Sequence, residues 1–204
     1  PLTLIISPLE RLISESNDAK TRQVYHMIYR NAQRILRLIN QLMDIRKLDK
    51  GLMQIKCSET DIVGFIKDLM HTFQYLANKK NIEFTFDHQV SNLEVWIDLN
   101  NFDKVMLNIF SNAFKFTPDN GKIQVKLSVG EGDERISSEK YFEIKVSDTG
   151  IGVDKDNIEK IFERFYEASQ ERGNTNFDTG WGVQLSRLLV ERHQGVIYAE
   201  NRED

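Results

Sequence analysis

Asn108, Asn112 and Lys115 stand at i, i+4 and i+7 of a run that reads as helix from Asn101 to Lys115, so all three share one face. Asn is a poor helix former because its amide competes for backbone hydrogen bonds, and two on one face suggest a use. A carboxamide oxygen is a hard ligand suited to Mg²⁺, which keeps several waters and takes its other ligands from phosphates. A Lys ammonium supplies a point charge for the same phosphates. Without that chemistry the three are simply a solvated face. Further along, Tyr141–Val146 alternates like a strand and runs into Asp148-Thr149-Gly150-Ile151-Gly152. Such a strand end sets a carboxylate beside backbone that a flat ligand can approach closely, and the carboxylate can accept from an amino group such as that of adenine. The alternative is a glycine turn with a capping Asp. Third, Thr179-Gly180-Trp181-Gly182 precedes a helix expected over Val183–Gln194. Free N–H groups and the helix dipole would face an anion there. The polar stretch Tyr166–Asp178 ahead of it reads as a lid.

The elements that must hold these residues follow from hydrophobic spacing. Leu2, Ile5, Leu9 and Leu12 mark an amphipathic helix, and Ser14–Ala19 a polar break. Tyr25, Ile28, Ala32, Ile35, Ile39 and Leu42 form a heptad seam on a second helix, which Gly51 stops after Lys47 and Lys50. Two antiparallel helices expose too much of that seam to stand alone, which points to a second copy and a four-helix bundle. The other resolution is a hairpin packed on the rest of its own chain. From Gly51 onward strands and helices alternate: strands at Met53–Cys57, Ile82–Phe86, Leu93–Ile97, Lys122–Gly130 and Tyr141–Val146, and helices at Ile62–Lys79, Asn101–Lys115, Ile158–Ala168 and Val183–Gln194. Gly195–Ala199 begins a further strand, with nothing after it to finish a hairpin. This pattern predicts an α/β sandwich, with one domain at 1–50 and a second at 51–204.

Composition narrows the classes. Of 204 residues 40% are hydrophobic and 28% charged, the balance of a globular protein. One Cys excludes a disulfide framework and a Cys-rich zinc site. No run of about 18 apolar residues is present to span a membrane. Residues 1–50 hold nine Lys/Arg against five Asp/Glu, while the whole chain is −4. That basic excess is too small for a nucleic-acid arm.

Each signal is modest alone, but their order is specific. Asn-x₃-Asn-x₂-Lys, Asp-x-Gly-x-Gly, Phe-x₂-Phe and Gly-x-Gly before a helix follow one another as do the N, G1, F and G2 boxes of the sensor histidine kinases of two-component systems. LNIFSNAFKFTP, VSDTGIGV, IFERFYEA and DTGWGVQL resemble those boxes, RNAQRILRLINQLMDIRKLDKG resembles the second helix of their dimerisation and phosphotransfer domain, and PLTLIISPLE resembles the tail of their H box. The wording of the helical part is similar to hybrid sensor kinases. The resemblance implies an α+β protein, in which an N-terminal helical hairpin forms a dimeric four-helix bundle ahead of a GHKL or Bergerat-like ATP-binding sandwich.

It further implies ATP and Mg²⁺ as cofactors, with transfer of the γ-phosphoryl group to a His and then to an Asp of a response-regulator receiver domain. Asn108 and Lys115 are the catalytic candidates and Asn112 the metal ligand. Asn112, Lys115, Asp148, Gly150, Gly152, Gly180 and Gly182 would bind the nucleotide. Related ATPases carry Glu where Asn108 stands, and an amide cannot take a proton from water. The phospho-accepting His is expected upstream of Pro1, so His26, His71, His88 and His193 are not read as acceptors, and the last sheet strand is expected to be incomplete. The setting implied is the cytoplasmic part of a membrane-anchored, inner-membrane sensor. Asp178, Trp181 and Gln184 depart from the usual G2 wording, and Glu167 stands where some relatives carry a basic residue. These departures support an alternative, a nucleotide-blind scaffold that only transmits conformation.

Overall fold

The computed structural model describes residues 3–135, 138–163 and 181–202, in two units, Pro1–Met53 and Gln54–Asp204. The first is a helical hairpin of α1 (Thr3–Glu15) and α2 (Ala19–Asp49). Asp18 caps α2 by accepting from the Thr21 amide at 2.9 Å. Across the hairpin the Tyr29 hydroxyl donates to Glu10 at 3.0 Å, and Leu9 and Ala32 are buried. The expected seam is split by its geometry. Ala32 lies inside, whereas Ile28, Ile35 and Ile39 stay exposed, as do Ile5, Leu12 and Met43.

The second unit packs helices on sheet. Its elements are β1 (Ser58–Asp61), α3 (Ile62–Lys80), β2 (Glu83–His88), β3 (Glu94–Ile97), α4 (Leu99–Phe116), β4 (Lys122–Glu131), β5 (Lys140–Asp148) and α5 (Trp181–Arg192). β1 and β3 pair antiparallel; β4 lies between β2, to which it is parallel, and β5, to which it is antiparallel. Along β4 the side chains of Ile123, Val125 and Leu127 are buried while Lys122, Gln124 and Lys126 are exposed. One sheet face therefore carries the helices, as the period of two requires. Phe73 of α3, Phe84 of β2, and Phe110 and Phe114 of α4 interlock at ring separations of 5.0–5.6 Å. This cluster fixes α4, the helix that carries Asn108 and Asn112, against the sheet.

Three expected elements differ. Residues 53–57 form no strand; β1 begins only at Ser58, and the Lys56 amide donates to the Asp98 carboxylate at 2.9 Å instead of to a ladder. The expected helix Ile158–Ala168 is absent over 158–163, where two short 3₁₀ turns, Lys155–Asn157 and Lys160–Phe162, replace it. Asp154 accepts from the Asp156 amide and Glu163 N–H returns to the Lys160 carbonyl, so local turns take the bonds a helix would use. The remainder of that helix, with the Tyr166–Asp178 lid, lies outside the described residues. Finally, 195–199 joins no sheet. The segment is tied to β5 through side chains: Tyr198 hydroxyl to Glu143 at 3.2 Å and Lys145 to Glu200 at 2.7 Å.

Candidate nucleotide-binding site

Helix α4 starts at a capped end. Asp98 accepts from the Asn101 amide at 3.1 Å and from the Asn101 side chain at 3.0 Å, and its own N–H donates to His193 Nε2 at 3.0 Å. Burial opposes ionisation of Asp98, but the amides of Lys56 and Asn101 outweigh it and hold the carboxyl below its ordinary value. Sequence reasoning missed this junction, although Asp-x-x-Asn ahead of an apolar run is a legible cap signal. Beyond the cap, Val105, Phe110 and Ala113 are buried, which turns Asn108, Asn112 and Lys115 along the flank.

The three do not stand alike. Asn108 donates its amide hydrogens to the Gly182 carbonyl at 3.1 Å and to Ser186 Oγ at 3.3 Å, so it ties α4 to the first two turns of α5. A Cβ on Gly182 would sit 3.3 Å from Asn108 Oδ1, so the glycine permits this close approach. Gly182 thus serves helix packing, beyond the anion role expected from its position. Asn112 is half-buried and makes no hydrogen bond among the described residues. Its carboxamide is available to a ligand. Lys115 is exposed, with its ammonium 4.6 Å from the ring centre of Phe116.

The Asp-x-Gly-x-Gly loop meets the other end of α4. Gly150 N–H donates to Asp148 Oδ1 at 2.8 Å, and a Cβ on Gly150 would fall 2.8 Å from the Phe116 carbonyl oxygen. Gly152 holds a left-handed φ of +67°. Among the described residues Asp148 Oδ2 has no hydrogen bond, so one oxygen is fixed by the loop and the other is left to accept. The Thr149 hydroxyl accepts from the Lys122 amide at 2.9 Å and tethers the loop to β4. α4 thus joins two candidate regions, α5 at Asn108 and the Asp148 loop at Phe116, with Asn112 and Lys115 between them in sequence. Gly180, Asp178, Glu167 and Phe165 lie outside the described residues. Trp181 opens α5, Gln184 is buried, and Phe162 is buried with the Arg187 guanidinium 6.0 Å from its ring centre.

The donor set suits a nucleotide carrying a divalent ion. No group of three or more His, Cys, Asp or Glu gathers among the described residues to hold a metal by protein ligands alone. A carboxamide oxygen such as that of Asn112 is a hard ligand that Mg²⁺ could take together with phosphates and waters. Of the four histidines, His26 and His71 are exposed, His88 bonds Val90 O at 2.7 Å, and His193 braces Asp98 while bonding Leu189 O at 2.7 Å.

The histidine kinase-, DNA gyrase B-, and HSP90-like ATPase family matches residues 97–204, the segment that holds this site. The chain belongs to that family. The His Kinase A (phospho-acceptor) domain matches residues 1–51. Domains of these two kinds in this order are those of sensor histidine kinases, and the α+β fold class is that of the family. Histidine kinase P4 of Formosa agariphila is 32% identical over 207 residues, covering 100% of this chain. The chain spans only 14% of that relative's length. The catalytic domain of histidine kinase ThkA superposes with a TM-score of 0.60 at 26% identity, covering 72% of this chain and 89% of that one. The complex of ThkA with the response regulator protein TrrA shares the fold over 99% of this chain and 54% of that one, with a TM-score of 0.61 and 22% identity.

Proposed function

We propose that this chain is the kinase region of a two-component sensor protein. It binds Mg-ATP on the α4 face and drives transfer of the γ-phosphoryl group to a His nitrogen, from which it passes to an Asp of a receiver domain. The observation that carries the reading is the division of labour along α4: Asn108 is committed to α5, whereas the Asn112 carboxamide and one Asp148 oxygen have no partner among the described residues. Asp148 would accept from the adenine amino group, with Gly150 and Gly152 allowing close backbone approach. Asn112 would ligate Mg²⁺, and Lys115 would contact the phosphates. Bound there, Mg²⁺ would neutralise charge on the phosphates, and phosphoryl transfer depends mainly on such neutralisation and on positioning. Gly180 and Gly182 would serve an anion site ahead of the helix that follows them. Asn108 cannot take a proton from water, which favours transfer over hydrolysis.

Residues 1–50 would form the dimerisation and phosphotransfer unit and 51–204 the catalytic unit. The exposed Ile28, Ile35 and Ile39 support pairing with a second copy in a four-helix bundle. The ThkA–TrrA complex supports a receiver domain as partner. No helix among the described residues is long and apolar enough to cross a membrane. Independently of that, the reading as a sensor kinase implies the cytoplasmic part of a membrane-anchored protein. The test is incubation of the full-length protein with γ-labelled ATP, followed by a chase with its receiver domain. Acid-labile label on the protein that moves to the receiver domain supports the reading. Release of free phosphate with no labelled protein refutes it.

A further inference from the structure

We infer that Lys80, the last residue of α3, is a positioning residue for the nucleotide site and acts through the carboxyl end of α4. The inference rests on the nucleotide reading above. Lys80 Nζ donates to the Phe114 carbonyl at 2.7 Å and to the Thr117 carbonyl at 2.8 Å, crossing 34 and 37 residues of sequence. The last carbonyls of a helix lack partners within it and carry the negative end of its dipole. Here Thr117 N–H closes back onto Ala113 O at 2.9 Å, and Lys80 takes two further carbonyls with a full positive charge.

What this end of α4 supports makes the cap consequential. Phe116 falls between Phe114 and Thr117 in sequence, in the same last turn that Lys80 holds, and its carbonyl is the oxygen against which Gly150 is packed. Gly150 in turn orients Asp148 through its amide. The turn beyond is braced from the same place: Asn120 N–H donates to Lys80 O at 2.9 Å, and the Asn81 side chain donates to Asn120 Oδ1 at 2.7 Å. Gly121 follows, where a Cβ would lie 2.9 Å from Thr149 Oγ1. Lys80 and its neighbours therefore hold both sides of the wedge into which the Asp148 loop fits. A neutral side chain at position 80 frees Phe114 O and Thr117 O and lets the end of α4 move relative to that loop. Asp148 then loses its fixed aim, although Lys80 touches no nucleotide.

The test is a fluorescent-ATP titration of the chain with Lys80→Met, Lys80→Arg and Lys80→Gln, each alone and combined with Asp148→Ala, with folding checked by circular dichroism. Lys80→Met is expected to weaken ATP and ADP about tenfold, with or without Mg²⁺, while Lys80→Arg stays within about threefold. In the Asp148→Ala background the further loss from Lys80→Met should shrink below about threefold, because both changes act through one contact. A purely structural role would give the same loss in both backgrounds. If Lys80→Met fails to fold, Lys80→Gln carries the same expectations. Binding by the neutral variant within about twofold of the parent, or a full tenfold loss persisting in the Asp148→Ala background, overturns the inference. Failure of the parent chain to bind nucleotide overturns the nucleotide reading and the inference with it.

Discussion

Gly150→Ala adds one methyl group where two neighbours already stand. An ideal Cβ would lie 2.5 Å from Asp148 Oδ1 and 2.8 Å from the Phe116 carbonyl oxygen. Both are well inside van der Waals contact, and the two neighbours differ in what they can give. Asp148 can rotate, but only by losing the Gly150 N–H bond of 2.8 Å and the aim of its free oxygen. Phe116 O is helix backbone, in the last turn whose Phe114 and Thr117 carbonyls Lys80 holds. The loop must therefore lift away from α4 or Asp148 must turn out. Overpacking of this kind costs about 1–3 kcal/mol. For a unit of this size that is a fall of about 3 °C in Tm per kcal/mol. Nucleotide affinity should fall further than stability implies, because both escapes displace Asp148; about tenfold or more is expected. Differential scanning fluorimetry with and without ATP reads both effects. An unchanged Tm and unchanged ATP-induced stabilisation would show that the loop does not depend on the Phe116 contact.

Two other perturbations follow from the same contacts. Asn108→Ala removes the bonds to Gly182 O and Ser186 Oγ, so thermal denaturation should show a loss of about 1 kcal/mol; an unchanged Tm would mean that α5 is held without them. Asp98 lies below its ordinary 3.8 in the folded chain, so its contribution is present above that value and is lost as pH falls through the depressed one. Urea midpoints should therefore drop below about pH 4 in the parent chain, and less steeply in Asp98→Asn; equal slopes would sink the assignment.

The parts of the fold carried by local periodicity were legible. The spacing of Ile62, Ile66 and Leu69 announces α3, and Val105 with Phe110 and Ala113 announces α4, because each helix buries one stripe. What could not be read depends on distant partners. β1 is the polar Ser-Glu-Thr-Asp, a strand only because β3 pairs with it. Ile158, Ile161 and Phe162 have helical spacing, yet the Asp154 turn claims the backbone first. In the site, residue types and spacing named Asn112 and Asp148. They did not reveal that the Asn108 amide is committed to α5, nor that Phe116 contributes its carbonyl rather than its ring to the packing of Gly150. Lys80 was invisible for the same reason: a Lys at the end of a helix looks solvated until its carbonyl acceptors, 34 and 37 residues away, are known.

The central claim is that Asn112 and Asp148 bind opposite ends of one nucleotide. A titration of fluorescent ATP with and without Mg²⁺, on the parent chain and on Asn112→Ala and Asp148→Ala, tests it most directly. Asn112→Ala should abolish the Mg²⁺-dependent part of binding and leave the metal-free part intact. Asp148→Ala should weaken ATP and ADP alike by about 10- to 100-fold in either condition, as expected for loss of a hydrogen bond to a charged acceptor. GTP, with a carbonyl in place of the amino group, should compete poorly with the parent chain. Equal affinity for ATP and GTP, or an Asp148→Ala chain that binds ATP normally, would contradict the account and favour the nucleotide-blind scaffold.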